Sequence, residues 1–192
     1  MLRSCHTEGV VEAGLDEVGR GCLAGPVVAA AVILPPDYRH ALLTDSKKLT
    51  KEQRSLLREE IKREALAWAV AEASHLEIDE INILQASFLA MHRAVTQLQI
   101  EPEHLLVDGN RFGPYPLIPH TCATKGDSIF LSIAAASVLA KTYRDELMER
   151  LAADFPHYGW ATNVGYPTIQ HRRALHEHGP TIHHRRSFRL EY

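Results

Sequence analysis

Residues 10–34 read VVEAGLDEVGRGCLAGPVVAAAVIL, and this stretch decides the fold. The segment from Val10 to Leu15 is short, apolar and bounded by glycines, which predicts a strand. The segment from Leu23 to Leu34 is rich in valine, alanine and isoleucine, which predicts a second, buried strand. The intervening Gly19-Arg20-Gly21 predicts a turn, so the two strands would form a hairpin.

Helical and strand patterns alternate after this hairpin. Thr50 and Gln53 have the spacing of a capping box, and the apolar residues that follow recur at helical intervals. Residues 66–70 alternate in a way that predicts a strand. Asp79 is the expected N-cap of a second helix, whose apolar face extends to Leu98.

The remaining residues complete a mixed α/β pattern. Leu105 to Val107 predicts a short buried strand that leads into the turn Asp108-Gly109-Asn110. Ser128 to Asp154 predicts a long helix, and Thr168 to His178 predicts a short one. We therefore expect one α/β domain over residues 1–155, with a sheet covered by helices. Residues 156–192 are expected to form an appendage without an independent core.

Length and composition exclude several classes of protein. The chain has 192 residues, 45% of them hydrophobic and 23% charged, which is ordinary globular usage and excludes disordered and fibrous proteins. Its three cysteines form no CxxC pair, so neither a disulfide framework nor a thiolate zinc site is expected. The longest apolar run has twelve residues, too short to span a membrane, and the N-terminus lacks the pattern of a secretory signal. A cytoplasmic location is expected.

The charge is distributed unevenly. The formal net charge is −3, yet residues 156–192 hold five arginines and two glutamates. This basic end fits either a solvated tail or a surface that faces phosphates. The segment His183-His184-Arg185-Arg186 is open to the same alternatives, surface or packing contacts or a phosphate-facing patch.

Four carboxylates stand at the ends of predicted elements: Asp16, Glu17, Asp108 and Asp127. Side chains at the carboxyl ends of strands project into the crevice where α/β sheets bind ligands. Clustered carboxylate oxygens favour Mg²⁺ or Mn²⁺, often as a pair of ions that catalyses displacement at phosphorus. Each residue also has a structural alternative, since Asp108 fits a turn and Asp127 fits a helix N-cap.

Two loops could contact a phosphate or a sugar. Gly19 and Gly21 allow close backbone approach and expose N–H groups, although a plain hairpin turn explains them equally well. The glycine spacing does not match the dinucleotide fingerprint. Asp45-Ser46-Lys47-Lys48 is a polar loop before a helix, and its lysines are either phosphate contacts or solvated charges.

Eight segments, in order, resemble ribonuclease HII, the type 2 RNase H family. They begin with Ala13–Gly21 and Asp45–Leu49 and run to the closing His184–Phe188. Between these lie Glu77–Leu84, Leu106–Asn110, Lys125–Asp127, Ser132–Ser137 with Ala140-Lys141, and Gly165–Thr168. The resemblance covers nearly the whole chain and implies an RNase H-like fold with a five-stranded mixed sheet flanked by helices and a small C-terminal helical appendage.

The resemblance also implies a reaction and a site. The family cleaves the RNA strand of RNA/DNA hybrids and nicks duplex DNA 5′ of an embedded ribonucleotide, leaving 3′-hydroxyl and 5′-phosphate ends. Its four-carboxylate site falls on Asp16, Glu17, Asp108 and Asp127. Its substrate-binding residues fall on Gly19, Arg20, Gly21, Ser46, Lys47 and Tyr166.

A two-metal mechanism follows from this resemblance as a hypothesis. Asp16 would be shared by two Mg²⁺ or Mn²⁺ ions, and Asp127 would complete the site of the ion that activates water. Glu17 and Asp108 would complete the site of the ion on the leaving oxygen.

The sequence departs from the family at Cys22, where proline is common, and at Val164, where lysine is common. The chain ends soon after Phe188, which makes a sliding clamp a doubtful partner, and a monomer is expected. Three alternatives compete with this hypothesis: ribonuclease HIII, a non-catalytic RNA/DNA hybrid-binding module, and an unrelated Mg²⁺ phosphohydrolase.

Overall fold

The computed structural model describes residues 2–190, which contain five strands and five α-helices. The strands are β1 (Glu12–Val18), β2 (Val27–Ile33), β3 (Ala67–Ala73), β4 (His104–Asp108) and β5 (His120–Ala123). The helices are α1 (Lys51–Glu64), α2 (His75–Thr96), α3 (Leu131–Asp154), α4 (Trp160–Asn163) and α5 (Ile169–His178). Short 3₁₀ turns occupy Ser46–Lys48, Gly126–Ser128 and Pro156–Tyr158.

The strands form one mixed sheet in the order β3-β2-β1-β4-β5. β1 pairs antiparallel with β2 and parallel with β4, which confirms the predicted five-stranded mixed sheet. β2 is buried along its whole length because both faces of the sheet are covered. Helix α2 covers one face, and α1 and α3 cover the other.

Helix α3 lies directly against β1. A Cβ atom added at Gly14 would lie 2.2 Å from the backbone carbonyl carbon of Ser132, so only glycine permits this approach. The contact fixes the start of α3 against the strand that carries Asp16 and Glu17. The close-packed, alanine-rich first half expected for this helix is fully buried here.

Several element boundaries differ from the sequence predictions. β1 extends to Val18 and includes Asp16 and Glu17, and the predicted strand from Leu23 begins only at Val27. The chain turns before Val27 because Gly25 is in a left-handed conformation with φ +80°. The helix predicted from Ser128 begins at Leu131, after a 3₁₀ turn.

Two local predictions were wrong or incomplete. The N-cap of α2 is Ser74, which forms a capping box with Glu77, whereas Asp79 lies inside the helix. Asp79 instead accepts hydrogen bonds from the backbone of Arg186 and Ser187. The four residues of strand β5 are half-buried, and their sequence shows no pattern that predicts a strand.

Two helix starts are confirmed. Thr50 and Gln53 form the expected capping box of α1. Thr168 caps α5, the predicted short helix near the C-terminus.

The C-terminal residues pack on the main domain through a small cluster of their own. Tyr158 and Trp160 meet Met148 of α3 and Leu23 of the β1–β2 loop. The cluster therefore joins this segment to the loop that follows β1. The boundary at residue 155 stays a prediction, and residues 191 and 192 lie outside the described chain.

Candidate active site

Two strand ends bring the first carboxylates together. β1 and β4 run parallel with Leu15 beside Val107, so the residues that follow them, Asp16 and Asp108, lie at the same edge of the sheet. Asp16 is buried. This burial is the main reason that the pKa of Asp16 lies well above its usual range, and the charges of Glu17 and Asp108 raise it further.

Asp127 reaches this edge from the turn before α3. The backbone N–H of Gly126 donates to Oδ1 of Asp108 at 2.7 Å, which ties the turn to the end of β4. Burial raises the pKa of Asp127 to about 6, and the negative charges of Asp45 and Asp108 contribute. Asp108 therefore interacts with both Asp16 and Asp127.

Glu17 is oriented by its neighbour Arg20. Its Oε1 accepts a hydrogen bond from Nη1 of Arg20 at 3.1 Å. Burial raises the pKa of Glu17 although the charge of Arg20 opposes the shift, and Asp108 adds to it. A cleft of about 330 Å³ opens beside Glu17 and Asp108, and its wall includes Arg111. The structure thus gathers all four predicted carboxylates around one edge of the sheet.

The donor chemistry of this group fits a hard divalent cation. All four side chains offer carboxylate oxygens, and a cation would offset the burial and the mutual repulsion that raise the pKa values of Asp16, Glu17 and Asp127. Within residues 2–190, no three acidic, histidine or cysteine side chains are spaced to enclose a metal ion unaided.

The Gly-Arg-Gly segment forms the start of the loop between β1 and β2. Gly19 has φ +94°, and a Cβ atom there would lie 2.2 Å from Nε of Arg144. Arg20 and Gly21 are exposed. A Cβ atom at Gly21 would lie 3.8 Å from Cε1 of Tyr166, so the loop and this tyrosine are neighbours.

The predicted pair Ser46 and Lys47 occupies a 3₁₀ turn beside the carboxylates, but the two side chains face different surroundings. Ser46 is buried, and its hydroxyl lies 2.8 Å from that of Ser137. Burial opposes protonation of Lys47, yet the charges of Asp45, Asp16 and Asp127 raise its pKa. Lys47 thus lies within the field of the carboxylates.

Ser137 is a site residue for which the sequence alone predicted no role. Its hydroxyl lies 2.8 Å from that of Ser46, and it also acts on Asp16, where it opposes the rise in the pKa of that carboxyl. It lies inside the Ser132–Ser137 segment of the resemblance, but nothing in an alanine-rich helix singles out one serine.

A buried histidine pair supports Tyr166. Indole Nε1 of Trp160 can only donate, so the hydrogen bond at 3.1 Å makes Nε2 of His171 an acceptor. The proton of His171 is therefore on Nδ1, which donates to the carbonyl of Tyr166 at 2.9 Å. His184 completes the arrangement by donating from its Nε2 to His171 at 3.0 Å. Burial lowers the pKa of His184 to about 3, with a smaller contribution from His171.

The sequence left open whether the segment His183-His184-Arg185-Arg186 makes packing contacts or faces phosphates. The structure decides this for His184 and Arg185. His184 and Arg185 are buried, so they make packing contacts, whereas Arg186 is exposed. A larger groove of about 1170 Å³ runs between α5 and residues 186–190, and none of the four carboxylates lines it. No helix among the described residues is long and apolar enough to cross a membrane.

Comparisons with known proteins point to one family. A family model described as Ribonuclease HII matches residues 13–191. The chain is 62% identical over 190 residues to ribonuclease HII of Bacteroides thetaiotaomicron, which covers 99% of this chain and 95% of that protein.

Solved structures share the fold at lower sequence identity. A chain in the PCNA:RNase HII complex of Archaeoglobus fulgidus superposes with a TM-score of 0.77 and 27% identity, covering 95% of this chain and 97% of that one. The Mn²⁺ complex of Bst-RNase HIII shares the fold with a TM-score of 0.69 and 20% identity, covering 94% of this chain and 68% of that one.

Proposed function

Because the chain belongs to the ribonuclease HII family, we propose that it cleaves the RNA strand of RNA/DNA hybrids and nicks duplex DNA 5′ of an embedded ribonucleotide. Family membership makes the chain a ribonuclease H. The observation that carries the finer proposal is the meeting of four carboxylates beside the Gly19–Gly21 loop and Tyr166. In this proposal the products carry 3′-hydroxyl and 5′-phosphate ends, and the enzyme acts as a cytoplasmic monomer in ribonucleotide removal during DNA replication and repair.

The proposed catalytic residues are Asp16, Glu17, Asp108 and Asp127, which would hold two Mg²⁺ or Mn²⁺ ions. When bound, such ions supply an activated water and a counter-charge for the leaving oxygen. The Mn²⁺ complex of the structural relative supports this choice of metal. Asp16 would be the ligand shared by the two ions, because it lies at the end of the central strand β1 and interacts with Glu17 and Asp108.

Other residues of the chain prepare this site. The Gly126 N–H holds Asp108 in place, and Ser137 holds Asp16. Glu17 must exchange its hydrogen bond with Arg20 for a metal, which would free Arg20 to face the substrate. Lys47, which lies in the field of Asp16 and Asp127, would contact the scissile phosphate, and Ser46 would hold the loop in position.

Ribose recognition is proposed for the loop and the tyrosine together. The 2′-hydroxyl is the group that distinguishes RNA from DNA at a single nucleotide. Gly19 and Gly21 let a sugar approach the backbone, and Tyr166 lies beside Gly21 with 39% of its surface exposed. An aromatic ring at this place can pack against the neighbouring sugar.

A cleavage assay tests this function. The substrate is an end-labelled DNA duplex with one ribonucleotide, incubated with Mg²⁺, Mn²⁺ or EDTA beside an all-DNA duplex. We expect a metal-dependent nick immediately 5′ of the ribonucleotide and an intact all-DNA duplex. Cleavage of long hybrids alone would contradict the assignment of junction recognition to Gly19-Arg20-Gly21 and Tyr166. Binding without cleavage under any metal would favour a hybrid-binding module instead.

A further inference from the structure

Two buried arginines lie behind the Gly19–Pro26 loop. Arg144 comes from α3 and Arg185 from the C-terminal segment, and both side chains have 0% exposure. Among residues 2–190, neither guanidinium forms an ion pair with a carboxylate. Buried charges are costly unless they are paired or fully hydrogen-bonded, so the partners of these two side chains explain their presence.

Arg185 bonds to the backbone of the loop. Its Nη2 donates to the carbonyl of Gly19 at 2.7 Å, and its Nη1 donates to that of Arg20 at 3.0 Å. Its Nε donates to the carbonyl of Gly25 at 2.9 Å. One guanidinium therefore joins the two ends of the loop.

These bonds also determine where the loop's N–H groups point. In a planar trans peptide the C=O and N–H point in opposite directions. Because the carbonyls of Gly19 and Arg20 face Arg185, the N–H groups of Arg20 and Gly21 face away from it. In the described chain these two N–H groups donate no hydrogen bond, and both residues are exposed. They are thus directed toward the outer side of the loop.

Arg144 joins the same loop to the turn before Tyr166. Its Nε and Nη2 donate to the carbonyls of Pro26 and Ala24, both at 3.0 Å. Its Nη1 donates to the carbonyl of Val164 at 2.7 Å. A direct backbone bond from Leu23 to Gly165, at 2.8 Å, runs beside these contacts. The guanidinium therefore sets the distance between the loop and the tyrosine.

We propose that Arg144 and Arg185 are positioning residues for ribonucleotide discrimination. Arg185 directs the N–H groups of Arg20 and Gly21 toward the ribose, and Arg144 sets the distance from the loop to Tyr166. This inference rests on the proposed function, since it concerns how the same site distinguishes a single ribonucleotide. Neither arginine touches the substrate.

The choice of residue fits this role. A guanidinium presents five N–H donors in a fixed plane, which suits three diverging carbonyls, whereas a lysine ammonium is a single point. Burial, with a smaller contribution from Arg144, lowers the pKa of Arg185 to about 10, which leaves the side chain protonated at neutral pH. Arginine is therefore the residue that satisfies these carbonyls in a buried place.

The test uses Arg185→Lys and Arg144→Lys, with Arg63→Lys as the matched control on the exposed face of α1. For each protein the dissociation constants of a duplex with one ribonucleotide and of the all-DNA duplex of the same sequence are measured in Ca²⁺, together with kcat/KM on the ribonucleotide duplex. The folded fraction is followed by thermal unfolding. We expect the ratio of the two dissociation constants, which measures the preference for ribose, to fall roughly tenfold or more in both lysine variants, because charge-assisted hydrogen bonds are lost. The control should keep the wild-type ratio.

An equal loss of affinity for the ribonucleotide duplex and the all-DNA duplex, or an unchanged ratio, would overturn the inference and leave a structural role only. If both variants fail to fold, amide hydrogen exchange of the wild-type chain gives the answer. With Ca²⁺, the N–H groups of Arg20 and Gly21 should be protected by the ribonucleotide-containing duplex and not by the all-DNA duplex. Equal protection by both would contradict the inference. Failure of the wild-type chain to cut at a single ribonucleotide would instead refute the proposed function.

Discussion

The carboxylates and the Gly19–Pro26 loop, for which we propose ribose recognition, lie side by side but are supported from different parts of the chain. Asp16 and Asp108 are carried by adjacent strands in the middle of the sheet. The loop lies beyond the sheet and is held by Arg144 and Arg185, which are far from it in sequence. The difference indicates that reaction and recognition can be damaged separately, because the two parts of the site depend on different contacts.

The largest expected effect is on the carboxylate side. Asp16→Asn should lower the cleavage rate by roughly a thousandfold or more, because it removes a charge that the metal site requires. Binding of the ribonucleotide duplex in Ca²⁺ should stay close to wild type, since the loop is intact. Cleavage and binding assays on the same preparation measure both quantities.

The thermal stability of Asp16→Asn shows whether a loss of cleavage reflects unfolding. The raised pKa of Asp16 means that its ionised form is disfavoured in the fold, so the neutral asparagine should leave the thermal midpoint at pH 7 equal or higher. Mg²⁺ should raise the midpoint of the wild type more than that of the variant. Normal turnover by Asp16→Asn would contradict the catalytic assignment.

The next effect concerns the loop. Gly19→Ala places a Cβ atom against Nε of Arg144 at a residue with φ +94°, so the loop must shift. We expect cleavage at a single ribonucleotide to fall by roughly ten- to a hundredfold, and the preference for this duplex over the all-DNA duplex in Ca²⁺ to fall with it. Steady-state kinetics and binding assays measure these quantities. Gly9→Ala strains the backbone in the same way, at φ +78°, but meets open space, so it is the control for strain alone. An unchanged binding preference would remove the distinction between the two parts of the site.

A smaller effect concerns the histidines behind Tyr166. The unfolded chain protonates His184 near pH 6.5, whereas the folded chain does so only near pH 3. The free energy of unfolding should therefore fall as the pH drops below 6.5, by about 1.4 kcal/mol per pH unit for this group, until about pH 3. Urea unfolding between pH 7 and 4 measures the slope, and the exposed His176→Gln should leave it unchanged.

The smallest effect is expected at Glu77, which belongs neither to the carboxylates nor to the Gly19–Pro26 loop. Glu77 accepts hydrogen bonds from Arg93 at 2.6 and 3.1 Å, and this pairing lowers its pKa to about 2. Glu77→Gln keeps the capping geometry of α2 but should cost about 1 kcal/mol of stability at pH 7. The contribution of Glu77 should be lost as the pH falls from 4.5 to about 2. Cleavage of both substrates by the folded variant should match wild type.

The sequence predicted the carboxylate side better than the loop. Asp16, Glu17 and Asp108 follow apolar runs, and this local pattern is enough to predict that they stand at strand ends. The capping box at Thr50 is equally local. The catalytic role of these carboxylates stays a prediction, as does the substrate role of Lys47.

Other features have no local signal. Arg144 occupies the charged half of a helix, and only its contacts with Ala24, Pro26 and Val164 reveal that it is buried. β5 is recognisable only by its pairing with β4. The sequence around Asp79 resembles a helix cap. Its actual partners, the backbone N–H groups of Arg186 and Ser187, are distant in sequence and leave no local pattern. These features arise from tertiary contacts, which pattern and spacing do not report.

The bridge between Ala24 and His184 has a consequence for the order of synthesis. A ribosome translates all four carboxylates before it reaches Arg185, so a nascent chain can contain the complete sheet while the loop at Gly19 still lacks its support. The loop proposed to distinguish ribose from deoxyribose is therefore completed after the sheet, when Arg185 leaves the exit tunnel and its segment pairs with the hairpin that was made first.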